Sequence, residues 1–495
     1  MDMLTSINDG IWNPMAYFAL AVGLFFTIMT GLVQFRRFPD MIRQIMSKRN
    51  CPDGISPAQA LLLTLASRVG VGNIAGVATA IAAGGPGALL WMVACALLGS
   101  ASSYAETVLS QVFKRRINGE HRGGMPFYIE HGLKLKWLAV IVSLIAMVGY
   151  GFVFPGVQSN NIASSIETAF SVPPWISALA VTGLMAFVII GGTKRIVGAA
   201  QVMVPVMAIG YVIAALVIVL VNYDQILPTI SLIFSSAFGA HQIFGGIVGA
   251  AVAWGVRRAV FSNVAGVGEG TYGAAAASVS HPSKQGLVQA FSIYIDTVVV
   301  CFATGLMIIM TGSYNVFAAD GTALIEGVPG LKPGSAYTQQ AISTVMPGVG
   351  PGFVAVALFF FAFTTLVAFF YIAKTNLVYL TGKDDNPALD WALKLGMLAI
   401  TFSGGVVSAD VMWAVGDIGY GTLGWINMLC LLALSAIVFK VTRDYDKQCK
   451  AGLDPVFDPR KLGIAGADYW VEASAEIAAH QRRDGSQGFA KNPSR

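Results

Sequence analysis

Charged residues are scarce in this chain. Asp, Glu, Lys and Arg supply 12% of the 495 positions, and hydrophobic residues supply 55%. Soluble domains carry about 25% charge. The deficit excludes a soluble protein and places the chain in a membrane, where apolar runs of about 20 residues count as spans. Cysteine is also sparse. Cys51, Cys95, Cys301, Cys430 and Cys449 are scattered without a CxxC, which excludes a disulfide framework and a zinc site. Catalytic signatures are missing as well. There is no P-loop and no GxSxG, and the Glu-His pair at 130–131 lacks an HExxH context. His121, His131, His241 and His281 lie in loops or at span ends. An ATP-driven pump or an intramembrane hydrolase is therefore disfavoured, and the chain is expected not to be an enzyme.

The net charge of +5 is not a nucleic-acid signal, because the basic residues sit in short loops. The first apolar run, 11–34, follows Asp2 and Asp9 rather than Lys or Arg and is too long for a signal-peptide core, so it is expected to be the first membrane helix.

What is present is a series of eleven apolar segments, near 11–34, 57–83, 86–112, 137–157, 174–191, 198–221, 241–263, 286–312, 351–373, 388–404 and 410–439. They predict an all-α membrane protein, with a transmembrane domain over 1–440 and a polar cytoplasmic tail over 441–495 whose Ala-rich stretches suit a surface helix. Alternate loops are basic. Arg36, Arg37, Arg43, Lys48 and Arg49 follow span 1; Lys114, Arg115, Arg116, Arg122, Lys134 and Lys136 follow span 3; Lys194 and Arg195 follow span 5. Lys284, then Lys374 and Lys383, then Lys440, Arg443, Lys447 and Lys450 follow spans 7, 9 and 11. The positive-inside rule puts the N-terminus outside and the C-terminus in the cytoplasm.

One cassette occurs twice. Residues 68–78 read RVGVGNIAGVA and residues 258–268 read RAVFSNVAGVG. The first lies within span 2 and the second near the end of span 7, an odd number of spans later. The two therefore run in opposite directions, as in an inverted-topology repeat. This predicts one extra helix (11–34), a first repeat over 57–221 and a second over 241–439. Gly70, Gly72 and Gly76 crowd around Asn73, and Ser262 and Asn263 precede Gly266, Gly268 and Gly270. Glycine is a poor helix former, and a helix broken at membrane depth is tolerated where its freed backbone lines a cavity. Span 2 is expected to unwind over Val69–Asn73 and span 7 over Phe261–Gly268. Exposed N–H groups of the second half-helix suit a carboxylate, and exposed carbonyls of the first suit Na⁺. The alternative is tight helix packing through glycine.

Other polar residues fit the same picture or a plainer one. Thr364 and Thr365 in span 9 either complete a Na⁺ shell with carbonyls near Ala66 and Val69 or bond back to their own helix. Gln158, Asn160 and Asn161 follow a break expected at Pro155-Gly156; they either contact a substrate or cap a helix end. Arg68 needs a partner at membrane depth, with Glu106, Asp296, Asp410 and Asp417 as candidates and a substrate carboxylate as another.

Taken together, LASRVGVGNIAGVATAIAAGGPGALLWM at 65–92, GGMPFYIEHGL at 123–133, FSN.AG.G at 261–268, HPSKQGLVQAFSIYIDT at 281–297, FAFTT at 361–365 and DVMWAVGDIGYG at 410–421 resemble the alanine/glycine:cation symporter family over roughly residues 10–445. The resemblance implies the five-plus-five inverted repeat of leucine-transporter type and carriage of a small neutral amino acid with Na⁺ or H⁺. It maps substrate contacts to Gly70, Val71, Gly72, Asn73, Gln158, Asn161, Ser262 and Asn263, and sodium to Ala66, Val69, Thr364 and Thr365. The family pattern Ser-Asn-Glu-Ala-Gly departs here, with Val264 in the Glu position. Either Glu269 takes over that acid's place or the ion or substrate differs.

The expectation is a monomeric, multi-pass symporter of the inner (plasma) membrane, surrounded by lipid. It imports alanine or glycine with sodium by alternating access, and sodium is its only inorganic partner. A different amino acid such as glutamine, coupling to protons, and an ion channel are the rival readings. Replacing Gly72 by Leu is expected to leave expression intact and abolish uptake; normal uptake by that variant would take span 2 out of the site.

Overall fold

The structure, a computed structural model, describes residues 2–47, 54–241, 243–318, 320–382, 386–407 and 409–472. Cys51, Lys48, Arg49, Lys383 and the Ala-rich part of the tail lie outside the described residues. The protein is almost wholly helical. By length and apolar composition, six of its described helices can cross a membrane, or seven if one pair bent by 62° counts as a single span. It is a multi-pass membrane protein.

The long helix α1 (Asp2–Met29) is followed by the first cassette. Helix α2 (Pro57–Arg68) opens on a capping box: Ser56 Oγ accepts from Gln59 N at 3.2 Å, and Gln59 Oε1 accepts from Ser56 N at 2.9 Å. It stops at Arg68. A single 3₁₀ turn covers Val71–Asn73, and α3 (Ala75–Gly84) resumes the helix. Next come α4 (Gly87–Val112) and a small hairpin of β1 (Arg115–Ile117) and β2 (Glu120–Arg122). They are followed by α5 (Lys136–Phe170), α6 (Pro174–Ile190), α7 (Gly192–Val221) and α8 (Ile226–Ala237). The second cassette lies on α9 (Val248–Asn263) and α10 (Gly270–Ala275). The chain continues through α11 (Pro282–Met310), the hairpin β3 (Asn315–Phe317) and β4 (Ala323–Glu326), and α12 (Ser335–Val345). It ends with α13 (Gly350–Thr381), α14 (Pro387–Gly404), α15 (Ala409–Ala433) and α16 (Ser435–Lys450).

Three expectations change. No break occurs at Pro155-Gly156, because α5 runs unbroken to Phe170. The preceding wide turn at Gly149–Val153 has π-helical hydrogen bonding, which supplies the slack a proline ring needs in mid-helix. In the second cassette the helix persists through Asn263, so the unwound stretch is Val264–Glu269 rather than one starting at Phe261. Gly266 (φ 81°) and Gly268 (φ 92°) adopt the left-handed conformation that glycine permits, whereas Val264 (φ 49°) enters it against its β-branch. The loops expected at 222–240 and 313–350 contain α8, the second hairpin and α12. The described part of the tail also packs closely. Trp470 is fully buried and donates to Gln111 O at 2.7 Å, and Phe457 N donates to Ser280 O at 2.9 Å. Beside it, burial near Lys114 and Arg116 pushes the His121 imidazole down to about 3, so it stacks edge-on to Tyr469 as a neutral ring.

The two cassettes lie side by side and antiparallel. A Cβ added at Gly72 would meet Ser262 Cα at 3.0 Å, one at Gly76 would meet Arg258 at 3.8 Å, and one at Gly84 would meet Ala251 Cα at 2.9 Å. Helix α9 also presses on α4, where a Cβ at Gly255 would lie 2.5 Å from Ala88 O. Backbone this close has no room to give. Gly255→Leu is therefore expected to cost at least about 1–3 kcal/mol in overpacking and to lower the thermal unfolding temperature in detergent. An unchanged melting curve would show that the α4–α9 contact is loose.

Candidate functional site

Each interruption frees backbone groups. In a continuing helix Gly70 N would bond to Ala66 O; here it donates to Asn73 Oδ1 at 2.8 Å, so the Ala66 carbonyl loses that partner. Val69 is extended (ψ 91°) and its carbonyl lies 3.5 Å from Thr365 Oγ1. Val71 N donates to Gln158 Oε1 at 3.3 Å. The amide of Gln158 thus occupies a break N–H that was expected to face a carboxylate.

Both interrupted helices converge on one carboxylate. Asn73 Nδ2 donates to Asp296 Oδ1 at 2.7 Å, and Ser262 Oγ donates to Asp296 Oδ2 at 3.0 Å. Thr297 Oγ1 donates to Oδ2 at 2.7 Å and accepts from Asn263 Nδ2 at 3.1 Å. All five side chains are buried. Asp296 sits in the wide-turn stretch Tyr294–Cys301 of α11. The second break is held by a distant acid of α4: Gly268 N donates to Glu106 Oε2 at 3.1 Å, and Asn427 Nδ2 reaches both that oxygen (3.1 Å) and Gly266 O (2.9 Å).

The remaining predicted residues divide. Thr365 Oγ1 donates to Phe361 O at 2.9 Å and Thr364 Oγ1 to Phe360 O at 3.0 Å, so both hydroxyls bond back to their own helix, and Thr365 alone also reaches Val69. Ala66 and Thr364 line a narrow apolar crevice with Ile196, Met203 and Val367. Asn161 is not brought to the breaks; its Nδ2 bonds to Val157 O at 2.9 Å on its own helix. Asn160 ties α5 to α14 through Gly404 O at 3.0 Å. Of the candidate acids for Arg68, Glu106 stands against it at 3.8 Å, and the guanidinium also reaches Ser103 (3.0 Å) and Ser292. Asp417 is taken by Arg257 (2.7 Å) and Arg258 (3.0 Å), whose guanidinium groups also lie over Trp254 and Trp413. Among the described residues no cluster of three acidic, His or Cys side chains offers a metal site.

Asp296 and Glu106 entered the sequence reading only as partners for Arg68, yet they organise the breaks. A signal was available. Both acids stand 38 positions after their cassette arginine, Arg68 to Glu106 and Arg258 to Asp296.

The model of the sodium:alanine symporter family matches residues 1–459. The chain belongs to that family. The symporter is 44% identical over 436 residues to a sodium/proton-dependent alanine carrier protein of Bacillus sp. (strain PS3), covering 87% of this chain and 97% of the relative. It is 34% identical over 458 residues to the sodium/alanine symporter AgcS of Methanococcus maripaludis, covering 90% and 97%. Superposition on Mhp1, a nucleobase-cation-symport-1 family transporter, spans 81% of each chain at 13% identity with a TM-score of 0.41, too loose to carry an argument.

Removing the shared acceptor tests this geometry. Asp296→Ala strands Asn73, Ser262 and Thr297 in a dry interior at about 1–3 kcal/mol per donor. The symporter is expected to unfold at a clearly lower temperature in detergent, with Asp296→Asn intermediate. A wild-type melting curve for Asp296→Ala would mean that the breaks are held by something else.

Proposed function

We propose that the symporter imports a small neutral amino acid, alanine or glycine, together with Na⁺ by alternating access, with its N-terminus outside and its C-terminus in the cytoplasm of the cell that it bounds. The observation that carries the reading is the meeting of two antiparallel, interrupted helices at Asp296. Helix breaks at membrane depth supply both halves of a zwitterion site, N–H groups for the carboxylate and carbonyls for the cation. In this reading eleven spans form the extra N-terminal helix and two inverted sets of five. The exchange of acids between halves supports it: Asp296 of the second half holds the first break, and Glu106 of the first half holds the second.

Substrate binding near Gly70, Val71, Gly72, Asn73, Ser262 and Asn263 requires Gln158 to release Val71 N and the breaks to separate, because they now pack directly together. The closeness of Gly70 to Thr365 and of Gly72 to Ser262 favours a short side chain. Sodium is assigned to the carbonyls of Ala66 and Val69 with the hydroxyls of Thr364 and Thr365; Thr365, already 3.5 Å from Val69 O, is the nearest to position. The names of the relatives, carriers of alanine with sodium or protons, agree with this substrate class.

The test is uptake by purified protein in liposomes, using alanine, glycine and glutamine under imposed Na⁺ or H⁺ gradients. Saturable, accumulating, Na⁺-driven alanine or glycine uptake is expected. Flux rising linearly with concentration would indicate a channel, and preference for glutamine would refute the small-substrate assignment. Thr365→Ala is expected to raise the Na⁺ concentration for half-maximal uptake by about tenfold, the equivalent of one lost charge-assisted contact of ~1.4 kcal/mol. An unchanged Na⁺ curve would remove Thr365 from the ion shell.

A further inference from the structure

The chain that follows α16, residues 451–472, has no role in the site described so far, yet it is seated deeply in the molecule. It grips the connection between α10 and α11: Phe457 N donates to Ser280 O at 2.9 Å, Ser280 Oγ donates to Pro455 O at 2.9 Å, and Asp454 pairs with Lys284. It also grips the end of α4: Trp470 Nε1 donates to Gln111 O at 2.7 Å, and Arg115 reaches Gly466 O at 3.0 Å and Asp468 at 2.9 Å. Gly466 rests on the short helix Met125–Leu133, where a Cβ would lie 3.5 Å from His131 Cβ. That helix is tied to α13 by Tyr379, whose hydroxyl donates to Glu130. The segment thus bridges the end of the second cassette and the scaffold around α13.

What it covers is the seam between the two interrupted helices. Ile55, which leads into α2, forms a parallel bridge with Ala277, which follows α10: Ile55 N donates to Ala276 O at 3.2 Å, and Ser278 N donates to Ile55 O at 3.0 Å. Gln111 Nε2 (3.1 Å) and Lys114 Nζ (2.8 Å) both donate to Ala277 O, and Lys114 Nζ lies 4.6 Å from the centre of the Tyr469 ring. Tyr469 packs edge-on against His121, and a Cβ at Gly54, beside Ile55, would lie 2.8 Å from His121 Nδ1. Deeper in, Tyr272 Oη of α10 donates to Asn376 Oδ1 of α13 at 3.1 Å. A path from the site to this face requires α2, α10 and α13 to part, and residues 454–470 lie across that seam. Their attachment is of a kind that can let go. Asp454 and Asp468 are half-exposed or more, so their ion pairs contribute little. The hold rests on two fully buried rings, Phe457 and Trp470, and a few hydrogen bonds.

We propose that residues 454–470 are a strap that keeps the cytoplasmic face of the symporter closed and lifts from α4 and the α10–α11 connection each time that face opens. This deepens the import reading and rests on its alternating access. The sidedness follows from charge. Arg36 and Arg37 pair with Asp446, Arg115 with Asp468 and Lys284 with Asp454, so the basic loops after spans 1, 3 and 7 gather at the tail on one face.

The experiment fastens the strap and then loosens it, in the full-length protein. The Cβ separation at Gly466 and His131 suits a disulfide, so the double variant Gly466→Cys with His131→Cys is oxidised and reduced in liposomes. The oxidised protein is expected to lose alanine uptake and to regain it with reductant. Amide hydrogen exchange at Ile55 and Ser278 reads the seam without reference to transport. It is expected to slow in the oxidised protein. In Trp470→Phe, which keeps a ring but removes the donor to Gln111 O, it is expected to quicken by about tenfold, the effect of one buried hydrogen bond. Full uptake by the oxidised protein overturns this inference alone. So does exchange at Ile55 and Ser278 that neither the cross-link nor Trp470→Phe changes. Absence of alanine uptake in wild type, with exchange still following the strap, overturns the import reading and leaves the strap as the closure of that face.

Discussion

A carboxylate buried inside a membrane protein has to be hydrogen-bonded on every side, because an unmet charge there costs several kcal/mol. Asp296 meets that requirement with donors from both interrupted helices and from its own neighbour, Asn73, Ser262 and Thr297. The helices cannot be displaced one at a time without exposing it. That three-way attachment fixes the end of α9 and the 3₁₀ turn of the first cassette beside each other, where Gly72 approaches Ser262 closely.

The two breaks are stabilised differently. The first is compact: a 3₁₀ turn closed by its own Asn73 and covered by Gln158. The second is stretched over six residues, with two glycines and one valine in the left-handed region, and its backbone is held by Glu106 and Asn427. A β-branched residue at φ 49° stores strain that the surroundings must overcome.

Ion pairs flank this centre toward both ends of the cassettes. Arg68 with Glu106 and Arg258 with Asp417 are products of the same repeated arginine, yet each finds its partner on a different helix. A buried pair of this kind adds little net stability, whereas withdrawing one partner leaves an uncompensated charge at a cost of about 3–5 kcal/mol.

Much was legible in the amino-acid sequence because membrane burial leaves few explanations for polar residues. Low charge placed the chain in lipid, the doubled cassette located both breaks, and the combined motifs gave the family. The break at Pro155-Gly156 was misplaced because a wide turn upstream absorbs the proline, something local composition does not encode. Asn161 bonds back to Val157 O on its own helix, and a helix face cannot be read from an amide's presence. Sequence alone determined which residues are too costly to bury without purpose: Arg68, Asn73, Glu106, Asp296. Only the tertiary structure decided how they are shared, since pairing Asn73 with Asp296 and Gly268 with Glu106 joins positions 223 and 162 residues apart, and such contacts depend on antiparallel packing rather than on any local pattern.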